Sequence, residues 1–421
     1  MNKKIKRFIS RKTVTVLSMT TVLSLGLIPG KFPESYVSQK IQGSTVYAAS
    51  SFSQNNNFTG FLKGYYDTQA MSPTSHNWSR ESQFMGDTSG NLKWTKSIAL
   101  NPQLGAGATI DANGVVYVVS DTTLFAMNPD GTTKWENNKV KAGATVTPVL
   151  GGNGLIYVPS FDNKCIYFID KENGQITTTI PLPNNAGTDI TIGSDGSLFF
   201  ATLDGTLHAY KAFSKDSWTK KWSIPLGSVV NAGPTLASNG NLYVGTFNNT
   251  YYAINAGTGQ INWTKKFSNI FHGHAIIDSS NNIYIANYDG NLYSLSSKGD
   301  TRWTFPINGF ASSSPAIDKN GNIYIGSGSG ELLSVNANGA MNWSIFTGKP
   351  VRTTPLVDAN GIVYFGSDNA TFYAVEKDGN VKWNYKPKDW KVNQELMLSP
   401  TIAEDGTIYT GTFSEIYAFR K

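Results

Sequence analysis

The chain has 421 residues, with 35 Lys and Arg against 29 Asp and Glu, a formal net charge of +6 and a single cysteine, Cys165. Residues 1–48 hold eight of the bases and one acid, so the remainder has 27 bases, 28 acids and a net charge of −1. This balance argues against a nucleic-acid partner, which needs a concentrated basic face. One cysteine excludes an internal disulfide and a zinc site built from several cysteines.

Residues 1–48 have the pattern of a secretory signal peptide. The basic segment MNKKIKRFISRK precedes the apolar stretch TVTVLSMTTVLSLGLI, which is short and rich in Ser and Thr for a spanning helix. Val46-Tyr47-Ala48 before Ala49 fits signal-peptidase cleavage. We therefore expect a secreted, extracellular protein, free or associated with the cell envelope, with no stable membrane insertion after cleavage. An uncleaved N-terminal anchor is the alternative.

Residues 49–90 are polar and show no sustained period of 2 or 3.6 residues. They are interpreted as a polar linker or N-terminal extension. The folded domain is expected at residues 91–421.

A repeat of about 41 residues organises this domain. Segments such as GVVYVVS, GNLYVGT and GIVYFGS recur at spacings between 40 and 45 residues. Seven of the eight follow Asn-Gly or Asp-Gly, which favours a tight hairpin turn before each strand, and the exception is Asn281-Asn282. The central aromatic residues of the eight segments are Tyr117, Tyr157, Phe199, Tyr243, Tyr284, Tyr324, Tyr364 and Tyr409.

A second series places a glycine four residues before a tryptophan in most units, for example Gly259 and Trp263. The second unit has Thr178 in place of the tryptophan, and its preceding strand carries the bulky Phe168 where other units have Ala or Ser. These two changes can compensate in volume.

Each unit contains four short apolar runs separated by turns, which is typical of one four-stranded propeller blade. The tyrosine and tryptophan series are out of phase, since Trp94 precedes the first full unit and no tryptophan follows the last. The sequence therefore predicts an all-β, eight-bladed propeller, expected to be a monomer. In this ring an N-terminal strand around Trp94 completes the C-terminal blade and removes free sheet edges.

The segment AINAGTGQINW, residues 253–263, resembles the tryptophan-docking motif of pyrroloquinoline-quinone-type (PQQ-like) repeats of the quinoprotein-like superfamily. The chain is also similar in size and blade number to BamB-like proteins, although it lacks a lipoprotein cysteine. The resemblance implies that one tryptophan per blade packs flat between neighbouring blades. These structural docking residues are Trp94, Trp135, Trp222, Trp263, Trp303, Trp343 and Trp383.

Quinone-dependent enzymes of this superfamily hold the quinone over an aromatic floor beside calcium and a catalytic Asp, and many carry a vicinal cysteine pair. This chain cannot form that pair, and we expect no catalytic residue, cofactor or metal site. The Asp-x-Asn-Gly turns at Asp111, Asp318 and Asp358 are too short for calcium loops and fit Asx turns. The alternatives are an exported PQQ-dependent oxidoreductase with calcium, and a carbohydrate-binding or carbohydrate-active propeller.

The loop face of the propeller is the expected binding surface. One of its connections, residues 386–398, is long and holds Trp390, which has no counterpart in other units. An aromatic side chain among charged residues favours an interface, whereas an inward Trp390 would plug the axial channel. His272 and His274 could bind metal or act as acid and base, but two ligands alone make an incomplete site. The candidate face comprises Trp390, Lys388, Lys391, Glu395, His272, His274, Lys349, Arg352 and Asp289.

The sequence as a whole favours a secreted, non-catalytic propeller. Its expected role is to bind or scaffold an extracellular protein or a cell-envelope polymer.

Overall fold

The structure, a computed structural model, describes residues 82, 84–98, 107–120, 122–142, 147–151, 153–193, 195–230, 232–311, 313–387, 396–412 and 414–420. The side chains of His272 and Met397 fall outside this description. The proposed signal peptide and most of the polar linker lie outside the described residues.

Eight antiparallel sheets of four strands form the ring, which confirms the predicted all-β, eight-bladed propeller. In each blade the strands are designated a to d from the ring centre outwards. Blades 1 and 2 contain β2 (Thr109–Ile110), β3 (Val116–Val119), β4 (Leu124–Met127), β5 (Thr133–Asn137), and β6 (Val149–Leu150), β7 (Leu155–Pro159), β8 (Cys165–Asp170), β9 (Ile176–Pro181). Blades 3 and 4 contain β10 (Thr191–Ile192), β11 (Ser197–Ala201), β12 (Thr206–Ala212), β13 (Trp218–Pro225), and β14 (Thr235–Leu236), β15 (Asn241–Gly245), β16 (Thr250–Asn255), β17 (Ile261–Lys266). Blades 5 and 6 contain β18 (Phe271–Ile277), β19 (Ile283–Asn287), β20 (Asn291–Leu295), β21 (Thr301–Pro306), and β22 (Ala316–Ile317), β23 (Ile323–Gly326), β24 (Glu331–Val335), β25 (Met341–Phe346). Blades 7 and 8 contain β26 (Leu356–Val357), β27 (Val363–Gly366), β28 (Phe372–Val375), β29 (Val381–Tyr385), and β30 (Leu396–Ile402), β31 (Ile408–Thr412), β32 (Glu415–Phe419) with β1 (Leu92–Ser97).

Strand β1 lies at the outer edge of blade 8 and pairs antiparallel with β32, Trp94 facing Ala418. The importance of this strand for closing the ring stays a prediction.

Each blade core is built from three facing side chains. The strand-b aromatic is buried, the strand-c partner is small, and the strand-d partner is tryptophan, as in Tyr284, Ser294 and Trp303. The Tyr284 and Trp303 rings are 5.7 Å apart because the small strand-c residue leaves room between them. In blade 2, Phe168 takes the place of the indole and meets Tyr157 edge to face at 4.7 Å.

The turn before strand b is held by its aspartate. In blade 6 the Asp318 carboxylate accepts hydrogen bonds from the backbone N–H groups of Asn320 and Asn322 and from the Tyr324 hydroxyl. The aspartate therefore stabilises its Asx turn and also satisfies the buried phenol of the next strand. The Asn281-Asn282 turn works without glycine because Asn281 itself takes a positive φ of 61°.

Neighbouring blades contact each other through tryptophan and glycine. The Trp263 indole donates from Nε1 to the Ser297 carbonyl of blade 5 at 2.9 Å and lies against Gly299. A Cβ on Gly299 would stand 3.0 Å from the indole, and its φ is +91°, so glycine is required there. Six indoles donate to the following blade within the described residues: those of Trp94, Trp135, Trp222, Trp263, Trp303 and Trp343.

Blade 2 has no strand-d tryptophan to donate to blade 3. The Thr177 hydroxyl donates to the Lys215 carbonyl of blade 3 at 2.7 Å, and the Lys215 ammonium pairs with Asp170 of blade 2. A polar latch therefore replaces the indole where the sequence lacks it.

Candidate binding face and inner ring

One face of the ring is formed by the d-to-a connections and the b-to-c turns, which we call the loop face. Within the described residues, backbone hydrogen bonds tie six of the d-to-a connections to the following b-to-c turn. Tyr288 N–H donates to the Ile270 carbonyl at 2.8 Å, and Gly328 N–H donates to the Phe310 carbonyl at 2.8 Å. Because the backbone is bonded at these points, the loop face presents its side chains on a rigid support.

Large apolar side chains form a row on this face across blades 3 to 6. Leu203, Phe247 and Tyr288 occupy the same turn position in consecutive blades, and all three are partly exposed. Phe310, in the next connection, stacks on Tyr288 with ring centroids 5.1 Å apart and planes at 25°. We call Leu203, Phe247, Tyr288 and Phe310 the aromatic row. Sequence reasoning missed it, although its position after the recurring Ser, Thr or Asn of strand b was a usable signal.

Three charged residues of the predicted face lie in these loops. Lys349 is exposed, whereas Arg352 donates from Nε to the Asp368 carboxylate at 2.7 Å. Asp289 accepts a hydrogen bond from the Tyr293 hydroxyl at 2.7 Å and one from Ser268. Burial first, and then this carboxylate, raise the pKa of Tyr293 to about 12. Trp390, Lys388, Lys391 and Glu395 lie outside the described residues, as does the side chain of His272.

His274 is buried towards the centre of the ring, at 3% exposure. It stands ten residues before the strand-b aromatic Tyr284, and the residues at this position in the eight blades are all buried. We call this set the inner ring: Gly107, Thr147, Asp189, Gly233, His274, Ser314, Thr354 and Ser399.

The members of the inner ring are linked from blade to blade. Gly107 N–H donates to Thr147 Oγ1 at 3.2 Å, and His274 N–H donates to Ser314 Oγ at 2.9 Å. Gly233 separates Asp189 and His274, and a Cβ there would lie 2.8 Å from the imidazole. The absent side chain lets His274 Nε2 come within 3.9 Å of Asp189 Oδ2.

Asp189 is a member of the inner ring whose pKa is shifted by burial. Its Oδ1 accepts from Thr147 N–H at 3.4 Å, and burial raises the pKa of its carboxyl to about 8. In the same blade, His208 bonds to the Thr202 and Ser223 hydroxyls, and burial lowers its pKa to about 4.

Within the described ranges, no group of three or more His, Cys, Asp or Glu side chains is placed to hold a metal ion. In that same portion of the chain, no helix has the length and apolar character required to cross a bilayer.

The family profile described as outer membrane protein assembly factor BamB matches residues 84–179, 203–308 and 288–420. The chain belongs to this BamB family. The matched part covers nearly the whole propeller, as the PQQ-like repeat pattern predicts.

Solved structures similar to this BamB-family chain share its fold. BamB from Moraxella catarrhalis has a TM-score of 0.61 at 14% identity, over 78% of this chain and 99% of that one. The quinohemoprotein alcohol dehydrogenase from Comamonas testosteroni has a TM-score of 0.68 at 12% identity, over 83% and 81%. The computationally designed Ika8 protein has a TM-score of 0.63 at 12% identity, over 77% and 100%.

A sequence relative lies much nearer. The uncharacterized protein YxaL of Bacillus subtilis (strain 168) is 49% identical over 259 residues, which span 61% of this chain and 63% of that protein.

Proposed function

We propose that this BamB-family propeller is a secreted, non-catalytic module that binds or scaffolds an extracellular protein or a cell-envelope component through its loop face. The aromatic row carries the proposal. It places large apolar side chains on neighbouring blades of one surface, where a partner can cover them together.

The rigidity of the loop face supports binding. A surface already held by backbone hydrogen bonds loses little conformational freedom when a partner docks. Large aromatic side chains such as Phe247 and Tyr288 bury substantial area with few rotatable bonds, and aromatic residues are enriched among interface hot spots. Lys349 and the Arg352–Asp368 pair lie on the same face, between blades 6 and 7, and add polar groups beyond one end of the row.

Export is part of the same proposal. The basic and apolar segments of residues 1–48 would direct secretion, and N-terminal sequencing of the secreted protein should begin at or near Ala49. Full-length protein retained in the membrane fraction would indicate the uncleaved anchor instead.

A capture experiment tests the binding role. The secreted chain, immobilised, is exposed to medium and envelope extract of the producing organism, beside the variants Phe247→Ala, Tyr288→Ala and Trp390→Ala. Each should reduce capture of a specific partner at least fivefold while the melting temperature stays within a few degrees. Phe213→Ala is the matched control, because Phe213 is an exposed aromatic residue in the c-to-d loop on the opposite face.

Two outcomes would contradict the proposal. Capture unchanged in all loop-face variants would remove this face as the binding surface. Dye reduction with alcohols or sugars after addition of PQQ and calcium would show catalysis instead.

A further inference from the structure

A short N-terminal segment lies across the face of the ring opposite the loop face. That opposite face is formed by the a-to-b and c-to-d turns, and we call it the turn face. The segment comprises residues 82 and 84–87, and we call it the strap. It contacts β26 and the a-to-b turn of blade 7, then the a-to-b turn of blade 8, and continues towards β1. The strap therefore bridges blades 7 and 8.

The first half of the strap is bonded to the centre of blade 7. Ser82 N–H donates to the Val357 carbonyl of β26 at 2.6 Å, and the Phe84 carbonyl accepts from Ala359 N–H at 3.1 Å. Within the described residues β26 has one strand neighbour, β27, so Ser82 bonds to the remaining edge of the innermost strand. An extended peptide is recognised in this way when it adds to the edge of a sheet.

The second half of the strap reaches a buried carboxylate and then the next blade. Gly86 N–H donates to Asp358 Oδ2 at 3.0 Å, and Asp358 is fully buried. Asp87 N–H donates to the Gly406 carbonyl in the a-to-b turn of blade 8 at 3.0 Å. The strap is thus held by hydrogen bonds to both blades.

The Asp358 carboxylate is arranged to receive a donor from outside its turn. In blade 6 the equivalent Asp318 accepts at Oδ2 from the side-chain amide of Asn322 at 2.9 Å. Blade 7 has Ile362 at the position of that amide, and Gly86 N–H bonds to the carboxylate instead. A buried carboxylate oxygen requires such partners because its desolvation is costly.

Blade 1 shows the same substitution with a different donor. Val115 occupies the amide position there, and the buried Asp111 carboxylate pairs with the Lys171 ammonium of blade 2 at 3.1 Å. In both blades an aliphatic residue replaces the amide, and the turn carboxylate binds a group from outside its blade.

The shape of the groove is specific for the strap. A Cβ on Gly86 would stand 2.5 Å from the Tyr364 hydroxyl oxygen and 3.1 Å from the Ile408 side chain. Phe84 is partly buried against the hydrophobic cluster that blades 7 and 8 share, whereas Met85 is 62% exposed. The groove therefore accepts an aromatic side chain and, two residues later, only a glycine.

We propose that this groove on the turn face is a second binding site, separate from the loop face, for an extended peptide with the pattern Phe-x-Gly. Its ligand is the strap of the same chain, which is seated there by its backbone bonds, by Phe84 and by Gly86. The site is therefore blocked in cis. A segment of another chain can enter only after the strap leaves.

Proteolysis of the full secreted chain tests docking in cis. Gly86→Ala should release the strap, because the added Cβ collides with Tyr364, and chymotrypsin should then cut after Phe84 about tenfold faster than in the wild type. Met85→Ala is the matched control, because this neighbouring side chain is exposed, and it should be cut at the wild-type rate. Mass spectrometry identifies the cut at this bond.

A second pair of variants changes the groove and leaves the strap intact. Asp358→Asn keeps an oxygen for the turn, but its NH2 group cannot accept from Gly86 N–H, so cutting after Phe84 should be about fivefold faster. Asp318→Asn makes the same change in the turn of blade 6 and should leave the rate unchanged. Melting temperatures within a few degrees show that all variants are folded.

A fluorescently labelled peptide of residues 80–90 tests the site in trans. It should bind the Gly86→Ala chain, whose groove is open, about tenfold more tightly than the wild type, whose groove is filled. The same peptide carrying Phe84→Ala should not compete with it.

Three results would overturn the inference. One is failure of the peptide to bind the Gly86→Ala chain, or equal binding to both chains. Another is equal cutting after Phe84 in all variants. The third is a wild-type dimer in sedimentation that Gly86→Ala dissociates, since the groove would then hold the strap of a second copy. The loop face is unchanged in these variants, so failure of the binding role proposed for it can be recognised separately.

Discussion

Blade 3 and its contact with blade 2 are held differently from blades 4 to 7. In the regular blades an indole lies on a glycine of the next blade and donates to its backbone, as Trp263 does with Gly299 and Ser297. Between blades 2 and 3 the indole is missing, and Thr177, Lys215 and Asp170 supply polar contacts beside a shared buried hydrophobic cluster. The repeat therefore tolerates loss of its most recognisable residue when volume and hydrogen bonds are supplied by other groups.

Blade 3 also differs from the other blades in its buried titratable groups. Blade 3 carries Asp189 in the inner ring. It also carries His208 on strand c, at a position where blades 4, 5 and 7 have tyrosine. Blade 3 thus combines a buried carboxyl with a raised pKa and a buried imidazole with a lowered pKa, whereas the tryptophan side chains have no titratable group.

The largest effect should come from removing two tryptophan–glycine contacts together. Deleting residues 1–97 takes away β1, Gly90 and Trp94, so blade 8 loses its outer strand and both of its neighbours lose a contact. We expect insoluble protein or a melting temperature lower by more than 10 °C, because an open edge replaces a closed ring. Deleting residues 1–48 is the control and should leave melting unchanged. Equal melting of the two truncated chains would refute closure by β1.

Removing a single indole should reduce the free energy of unfolding more than removing the side chain of Thr178, which stands at the tryptophan position in blade 2. Trp263→Ala should lower the free energy of unfolding by about 3 kcal/mol, the lower end for a large aromatic because this indole is partly exposed. Trp94→Ala should fall in the same range. Thr178→Ala should cost less than about 1 kcal/mol, since Phe168 already fills the space. Chemical denaturation measures all three, and equal losses at Thr178 and Trp263 would contradict the difference drawn between the two kinds of contact.

His208 should make blade 3 sensitive to acid. Its folded pKa of about 4 lies below the ordinary 6.5, so between these values the unfolded chain takes up a proton that the folded chain does not. Stability due to this group is present above pH 6.5 and is lost as the pH falls towards 4, by at most about 3 kcal/mol. His208→Gln should flatten this part of the unfolding curve. Identical pH profiles for wild type and variant would show that folding does not shift the pKa of His208.

Asp189 should act in the opposite direction. Its folded pKa of about 8 exceeds the ordinary 3.8, so the folded chain retains a proton that the unfolded chain has released. Stability therefore falls as the pH rises from 4 to 8. Asp189→Asn should melt a few degrees higher than the wild type at pH 8.5 and at the same temperature at pH 4. Destabilisation by this substitution at pH 6 would indicate instead that an ionised Asp189 is paired with a protonated His274, 3.9 Å away.

The sequence was sufficient for the blade count because the aromatic and tryptophan series have nearly constant spacing. It also indicated Asx turns, but not that Asp318 bonds Tyr324 six residues later, although the same interval recurs at Asp111 and Asp358. The position of His274 was harder to predict from the sequence. Its equivalence to Asp189 follows from the ten-residue interval, but their approach depends on Gly233, which carries no chemical signal of its own. The aromatic row was missed because its members vary between Leu, Phe and Tyr.

The tryptophan–glycine contact has a consequence for how the molecule opens. Apart from the approach of Asp189 and His274 across Gly233, each blade packs mainly against its two neighbours, so stability approximates a sum of nearest-neighbour couplings, as in a linear repeat array. A closed ring has no terminal repeat at which unfolding can begin. Opening must therefore begin at the weakest contact between two neighbouring blades. We expect that contact to be the one between blades 2 and 3, where the polar latch of Lys215 and Asp170 stands in place of an indole and the ammonium is largely exposed to water. Amide hydrogen exchange should therefore be fastest in β9 and β13, the outer strands of the two blades that the latch joins. Local opening of the closed ring would then begin between blades 2 and 3, where the indole is missing.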